Sequence, residues 1–124
     1  MNLNIDCIRD ILLSYDALNQ TQKEVISQRD LHLDAYTDHE ITFHLKQMDL
    51  SNCASMKFSE SLTYNPEETF IHDLTRYGED LLAAMQDENT FVEFKEIIDS
   101  KYPSYNLEIF IYAYHSFLST RYGM

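Results

Sequence analysis

The chain has 124 residues, 44% of them hydrophobic, and sets nine Lys+Arg against 21 Asp+Glu for a formal net charge of −12. That length suits one domain with a core able to fold without staples, and the apolar share excludes a disordered chain. A DNA duplex presents one negative charge per about 1.7 Å of axis, so a DNA binder must gather its bases; here they are scattered from Arg9 to Arg121, with no two adjacent.

Met1-Asn2-Leu3-Asn4-Ile5-Asp6 lacks the positive run and long apolar stretch of a secretory signal, and the expectation is a cytoplasmic protein. Asn4 or Asp6 caps a first helix running to about Tyr15, with Ile5, Ile8, Leu12 and Tyr15 on one face. Asp16 to Lys23 is a polar connector. Val25-Ile26 and Leu31 with Leu33 are short extended candidates. Cys7 and Cys53 form no disulfide framework and read as reduced, buried thiols.

Thr37-Asp38-His39-Glu40 is a capping box opening a second helix, whose inward stripe is Ile41, Leu45 and Met48. Ala54, Met56 and Phe58 alternate with polar residues, the period of a half-buried strand. Tyr64-Asn65-Pro66-Glu67-Glu68 is a turn, and Phe70 to Leu74 returns as the second strand of a hairpin. Thr75 caps a third helix carrying Leu81, Leu82 and Met85. Thr90 and Glu93 form a second capping box before Phe94, Ile97 and Ile98, and Tyr102-Pro103 stops that helix. A last helix from about Asn106 carries Phe110, Tyr114, Phe117 and Leu118, with Gly123 at its C-terminal cap. Its apolar run, Leu107 to Leu118, is interrupted by Glu108, His115 and Ser116, so no membrane span is expected.

This order predicts a mostly α, α+β, winged-helix-like domain over 1–124, with a helix-helix-hairpin-helix core (1–90), a small β-hairpin and a C-terminal helical extension (91–124). The opening residues, continuing through Ile8-Arg9-Asp10-Ile11-Leu12-Leu13, resemble the start of domain-of-unknown-function family 2513. So do Ile41-Thr42-Phe43-His44-Leu45-Lys46 and Leu74-Thr75-Arg76-Tyr77-Gly78-Glu79-Asp80-Leu81-Leu82. The resemblance implies a winged-helix-like fold, a cytoplasmic location and association with phages and mobile elements; it implies no activity. The chain departs from the pattern at Asn52-Cys53-Ala54-Ser55, which puts one strand edge in doubt.

No pattern points to catalysis, a cofactor or a metal. His39 and His44 stand five apart, roughly 140° around a helix axis, whereas a zinc-binding helix needs histidines four apart; His44 reads instead as a partly buried polar residue beside the core stripe. Two glycines, Gly78 and Gly123, cannot build a phosphate loop. The expectation is a non-enzymatic protein. On the helix that a DNA-reading winged helix lays in the major groove, Asp38, Glu40 and Asp49 outnumber Lys46, and Glu67 and Glu68 sit at the tip of the wing. These six residues are the candidate interaction site. They suit a host protein with a basic surface, such as a nucleic-acid groove, and by analogy with small acidic phage proteins that block CRISPR nucleases the chain is a candidate inhibitor. The alternative is a DNA-binding transcription regulator whose basic patch forms in space from Arg9, Arg76 and Arg121. A homo-oligomer built through the aromatic last helix is a third reading.

Overall fold

A computed structural model describes residues 2–21, 25–59 and 65–122, with side chains as far as Thr120. Helix α1 (Ile5–Asn19) starts where the Asn4 side chain accepts the Asp6 backbone N–H at 3.0 Å, and it buries Ile5, Cys7, Ile8, Ile11, Leu12 and Tyr15. It continues past Tyr15 to Asn19, so the first half of the expected polar connector is helix: polar residues on a solvated face do not end a helix that lacks Gly and Pro. Lys23 lies outside the described residues.

Strand β1 is only Ile26–Ser27. The extended reading at Leu31 is corrected, because Gln28–Leu31 is a 3-10 turn. Ser27 and Asp30 close a capping box around it, and this short-range hydrogen bonding outcompetes a strand. Gln28 is buried and donates through Nε2 to the Asp38 carbonyl and to Thr42 Oγ1, both at 3.1 Å, which pins the turn to α2 (Asp38–Leu50). The Thr37–Glu40 capping box is formed as expected, each partner bonding the other's backbone N–H at 3.1 Å.

Strands β2 (Ala54–Lys57) and β3 (Phe70–Leu74) pair antiparallel, and β1 adds on the other side of β3 to give the order β1-β3-β2. Ser55 faces Asp73 while Met56 faces Ile71, so His72 bulges out of the ladder. Strand β2 ends at Lys57, one residue short of Phe58. Between the strands, Asn65 caps a second 3-10 turn, Pro66–Glu68; Tyr64 lies outside the described residues.

Thr75 caps α3 (Arg76–Met85). The expected Thr90–Glu93 capping box is not the start of α4 (Glu88–Lys101). Asp87 is the cap, its side chain accepting from the Asn89 N–H at 3.1 Å, and Thr90 is already inside the first turn with its hydroxyl on Asp87 at 2.9 Å. An Asp three residues before the expected cap offers the same acceptor, so the helix gains a turn. It ends at Tyr102, before Pro103. Helix α5 (Leu107–Tyr122) opens with Asn106 accepting the Ile109 N–H at 2.8 Å; Gly123 lies outside the described residues.

Phe94 of α4 lies 4.7 Å from Tyr114 and 5.4 Å from Phe110 between ring centroids, and the Tyr114 hydroxyl donates to the Ala84 carbonyl at 2.7 Å. This aromatic cluster joins α5 to α4 and α3, burying Phe110 and Tyr114 completely, with Phe117 half-buried. Helix, strand, helix, hairpin and helix, with β3 central in the sheet, is a winged-helix-like arrangement in a mostly helical chain. Among the described residues no helix is long and apolar enough to cross a membrane.

Candidate interaction surface

The capping box fixes where α2 begins, and that decides what its charges can do. Ile41, Leu45 and Met48 turn inward together with His44. The opposite face carries His39, Phe43, Lys46 and Leu50, spaced four, three and four apart, which is one outward stripe on a helix of 3.6 residues per turn. Leu50 is 73% exposed. The helix acids therefore flank this stripe instead of lying on it.

The six candidate residues divide into separate places. Glu40 is committed to the cap, its Oε1 accepting the Thr37 N–H. Asp38 sits at the helix start with Arg29 at 3.7 Å, both more than half exposed, and a pair this solvated holds little energy. Asp49 is exposed in the last turn of α2, where no basic residue lies. Carbonyls point out of that end and the helix dipole disfavours an anion there, so Asp49 does not serve the stability of its helix.

Lys46 leaves the helix toward the hairpin. Its Nζ lies 6.0 Å from the Phe58 ring centroid, a cation–π contact tying α2 to the end of β2. Phe58 in turn lines a hollow of about 220 Å³ with Lys57, Ser59, Glu68 and Phe70. The Ser59 hydroxyl donates to Glu68 Oε2 at 3.3 Å, and the Glu67 N–H donates to Asn65 Oδ1 at 3.0 Å. The structure thus gathers Lys46 and Glu68 around Phe58, with Glu67 beside them in chain order, and leaves Asp38 at the far end of α2. Reading by alternation assigned Phe58 to the inward row of the strand. Phe58 does pack half-buried against the core, as Met56 of the same row does, and the end of β2 at Lys57 leaves its ring also lining this hollow.

The histidines go different ways. His39 is exposed, whereas His44 is 1% exposed with both ring nitrogens engaged: Nδ1 lies 2.6 Å from the Glu40 carbonyl and Nε2 accepts the Asn4 N–H at 2.8 Å. His44 is thus fully buried, deeper than a place beside the core stripe implies. Burial pushes its pKa below the ordinary 6.5, against a smaller opposing pull from Glu40.

Of the three arginines in the assembled basic patch, Arg9 is engaged elsewhere. Its Nε donates to the Met85 carbonyl at 2.7 Å, its Nη2 lies 3.4 Å from the Gln86 carbonyl, and its guanidinium stands 5.1 Å from the Phe91 ring centroid. Arg76 is exposed at the start of α3, and the side chain of Arg121 lies outside the described set. Both cysteines are fully buried free thiols, as expected.

No curated protein and no solved structure gives a significant match to the chain. Residues 2–103 match the model of the family described as "Hypothetical protein (DUF2513)", a span that includes the opening segment, the Ile41–Lys46 motif and the Leu74–Leu82 motif; the chain belongs to that family.

Proposed function

We propose that this chain is a non-enzymatic protein-interaction module. In this reading it acts from a phage or mobile element, as an inhibitor that occupies the basic nucleic-acid-binding surface of a host protein. The observation that carries the proposal is Asp49. An exposed acid in the last turn of α2, with no basic residue near it in that turn, works against its own helix, so its placement is better explained by a partner than by the fold. Exposed Asp38 at the start of α2, and Glu67 and Glu68 on the hairpin turn, add to the negative field that steers a basic surface into contact.

The same elements suit DNA poorly. Lys46 is the single cation of α2, and it leans over Phe58. Lys57 is exposed on β2 with Glu67 and Glu68 on the turn that follows. A phosphate-tracking face needs several bases for each register of backbone it crosses.

The test is affinity capture from host lysate, with and without nuclease, alongside titration of a mixed-sequence DNA duplex at low salt. Expected are no duplex binding and a basic, nucleic-acid-handling protein that survives nuclease and is released by salt. Its affinity should drop in both Glu67→Lys/Glu68→Lys and Asp38→Lys/Asp49→Lys. Duplex binding that weakens steeply with salt would overturn the reading in favour of a DNA-binding regulator.

A further inference from the structure

Tyr36, Tyr105 and Tyr114 each donate a hydroxyl to a protein acceptor: Asp10, Asp99 and the Ala84 carbonyl. Tyr15, in the second half of α1, does not. It is 4% exposed, and its hydroxyl makes no hydrogen bond among the described residues. A buried phenol normally finds a partner. Among the described residues no side-chain oxygen or nitrogen sealed in the interior lacks one, so the small exposed part of Tyr15 includes its hydroxyl, which opens to the surface. Two exposed carboxylates face that opening, Asp73 from β3 and Glu79 from the first turn of α3, a helix packed against α1. The bulge at His72 brings Asp73 there. Ile71 and Leu74 are both buried although three apart, and the extra residue turns outward an Asp73 that strict alternation would aim inward with Ile71. Burial, then the charges of Asp73 and Glu79, hold the Tyr15 phenol above its ordinary pKa of 10, so it stays neutral.

We propose that the gap between Tyr15, Asp73 and Glu79 is a binding site for a guanidinium group, and that its ligand is an arginine side chain on the surface of a partner protein. The phenol lies within the field of both carboxylates and bonds to neither, which leaves all these oxygens to a ligand with several donors. Asp73 commits Oδ1 to the Leu74 N–H at 2.9 Å, and its Oδ2 makes no hydrogen bond among the described residues. The Glu79 carboxylate makes none there either, and Arg76, three residues before it on α3, forms no ion pair among the described residues. Ionised carboxylates only accept and a phenol can accept, so the missing group is a cationic donor. A metal ion fits poorly. Among the described residues no three His, Cys, Asp or Glu side chains gather to hold one, and Ca²⁺ takes about six to eight oxygen ligands. The planar fork of a guanidinium has N–H donors enough for both carboxylates and the phenol at once. It is also less strongly hydrated than an ammonium, so it gives up less on entering a partly buried gap.

The site uses none of the six candidate interaction residues. Its affinity for guanidinium stands on its own geometry, whereas the assignment of that arginine to a protein rests on the reading of a basic host partner.

The experiment is an NMR titration of the full, isotope-labelled chain with an end-blocked tripeptide carrying one central arginine. It is repeated at matched ionic strength with the lysine tripeptide, free arginine and calcium chloride. Expected is a saturable shift of the Tyr15, Asp73 and Glu79 signals with the arginine tripeptide. Binding should be about tenfold weaker in Tyr15→Phe, absent in Asp73→Asn/Glu79→Gln and unchanged in Glu67→Lys/Glu68→Lys. Lysine should bind more weakly, and so should free arginine, whose own carboxylate the site repels. Tyr15→Phe keeps the ring in the core, and the dispersion of the amide signals reports the folding of each variant. No saturable shift at these residues would overturn the proposal. So would calcium or the lysine tripeptide binding as tightly, or an affinity unchanged in both Tyr15→Phe and Asp73→Asn/Glu79→Gln. Free arginine binding as tightly as the tripeptide would overturn the protein source. Tripeptide binding with no basic protein captured from lysate would uphold the site and defeat the host-partner reading; capture without tripeptide binding would do the reverse.

Discussion

His44 Nε2 accepts the backbone N–H of Asn4 at 2.8 Å, joining the middle of α2 to the residue that caps α1. Both partners belong to segments that carry the family resemblance. Their relationship is architectural: the imidazole holds the entry of α1 against α2, with its other nitrogen donating to the Glu40 carbonyl. The arrangement requires the neutral ring protonated on Nδ1, since Nε2 must accept. A second proton would set N–H against N–H at Asn4.

Acid should therefore weaken the fold through His44. Burial lowers its pKa in the folded chain below 6.5, so between the folded and unfolded values the unfolded state binds the extra proton. This contribution is fully present above the unfolded pKa and is lost as pH falls from there toward the lowered folded value. One such proton gives a slope of up to about 1.4 kcal/mol per pH unit. Urea denaturation from pH 7.5 to 5 should show stability falling in the native chain and a flatter profile in His44→Gln. Identical profiles would mean that His44 is not the titrating group.

Gly78 carries a second piece of the family pattern for a reason of space. A Cβ built on it would stand 1.9 Å from the Cys53 carbonyl oxygen. That oxygen also accepts the Thr75 N–H at 3.0 Å, and the Thr75 hydroxyl caps the Gly78 N–H at 3.2 Å, so neither side can move away freely. Gly78→Ala should cost about 1–3 kcal/mol or more in urea denaturation. A variant as stable as the native chain would mean that α3 shifts off β2 without penalty.

These two contacts show what the chain disclosed in advance and what it withheld. Helices announced themselves through local chemistry: the Thr37–Glu40 box, the Thr75 cap and the stop at Tyr102-Pro103 all depend on residues within one turn of each other. The structure departs from the local pattern where two local solutions compete. Asp87 displaced Thr90 as a cap, and the Ser27–Asp30 box converted an extended stretch into a turn. The candidate surface was legible as a set of charges but not as a place. Whether Lys46 leans on Phe58, or whether Arg9 is used between helices, depends on contacts between residues well separated along the chain. The gap at Tyr15 was hidden for the same reason, since the stripe pattern assigns Tyr15 inward without saying which charges its hydroxyl meets.

Arg9 closes the C-terminal end of α3, bonding two of its terminal carbonyls and stacking over Phe91. Charge-assisted bonds to a helix end, plus the ring contact, should make Arg9→Ala destabilising by about 1–3 kcal/mol. Arg9→Lys should recover only part of this, because an ammonium cannot reproduce the planar fork over the ring. Full rescue by lysine in thermal denaturation would mean that charge alone matters at this site.

The two thiols should be silent in the folded chain. Desolvation raises Cys7 to about 12, with added repulsion from Asp10 and Glu40, and raises Cys53 to about 11. Both are 0% exposed. At pH 8 neither offers a usable thiolate or an accessible sulfur. A thiol-reactive chromophore should therefore label both cysteines only as fast as the protein opens, with rates tracking denaturant. Rapid stoichiometric labelling under native conditions would show that the α1 or β2 region opens locally.

Asp49 offers the sharpest separation of stability from function. It lies in the last turn of α2, where the dipole favours a cation, and no basic residue compensates it there. Asp49→Lys should raise stability by on the order of 0.5 kcal/mol, an increase visible in urea denaturation. If the acid is kept for a basic partner, the same substitution should weaken that partner's binding and slow its association at low salt, where steering is strongest. A protein that gains stability and loses affinity would show that the residue is held against the interest of its own helix. A gain in stability with unchanged association kinetics would leave Asp49 without a role at the interface and shift attention to Glu67 and Glu68.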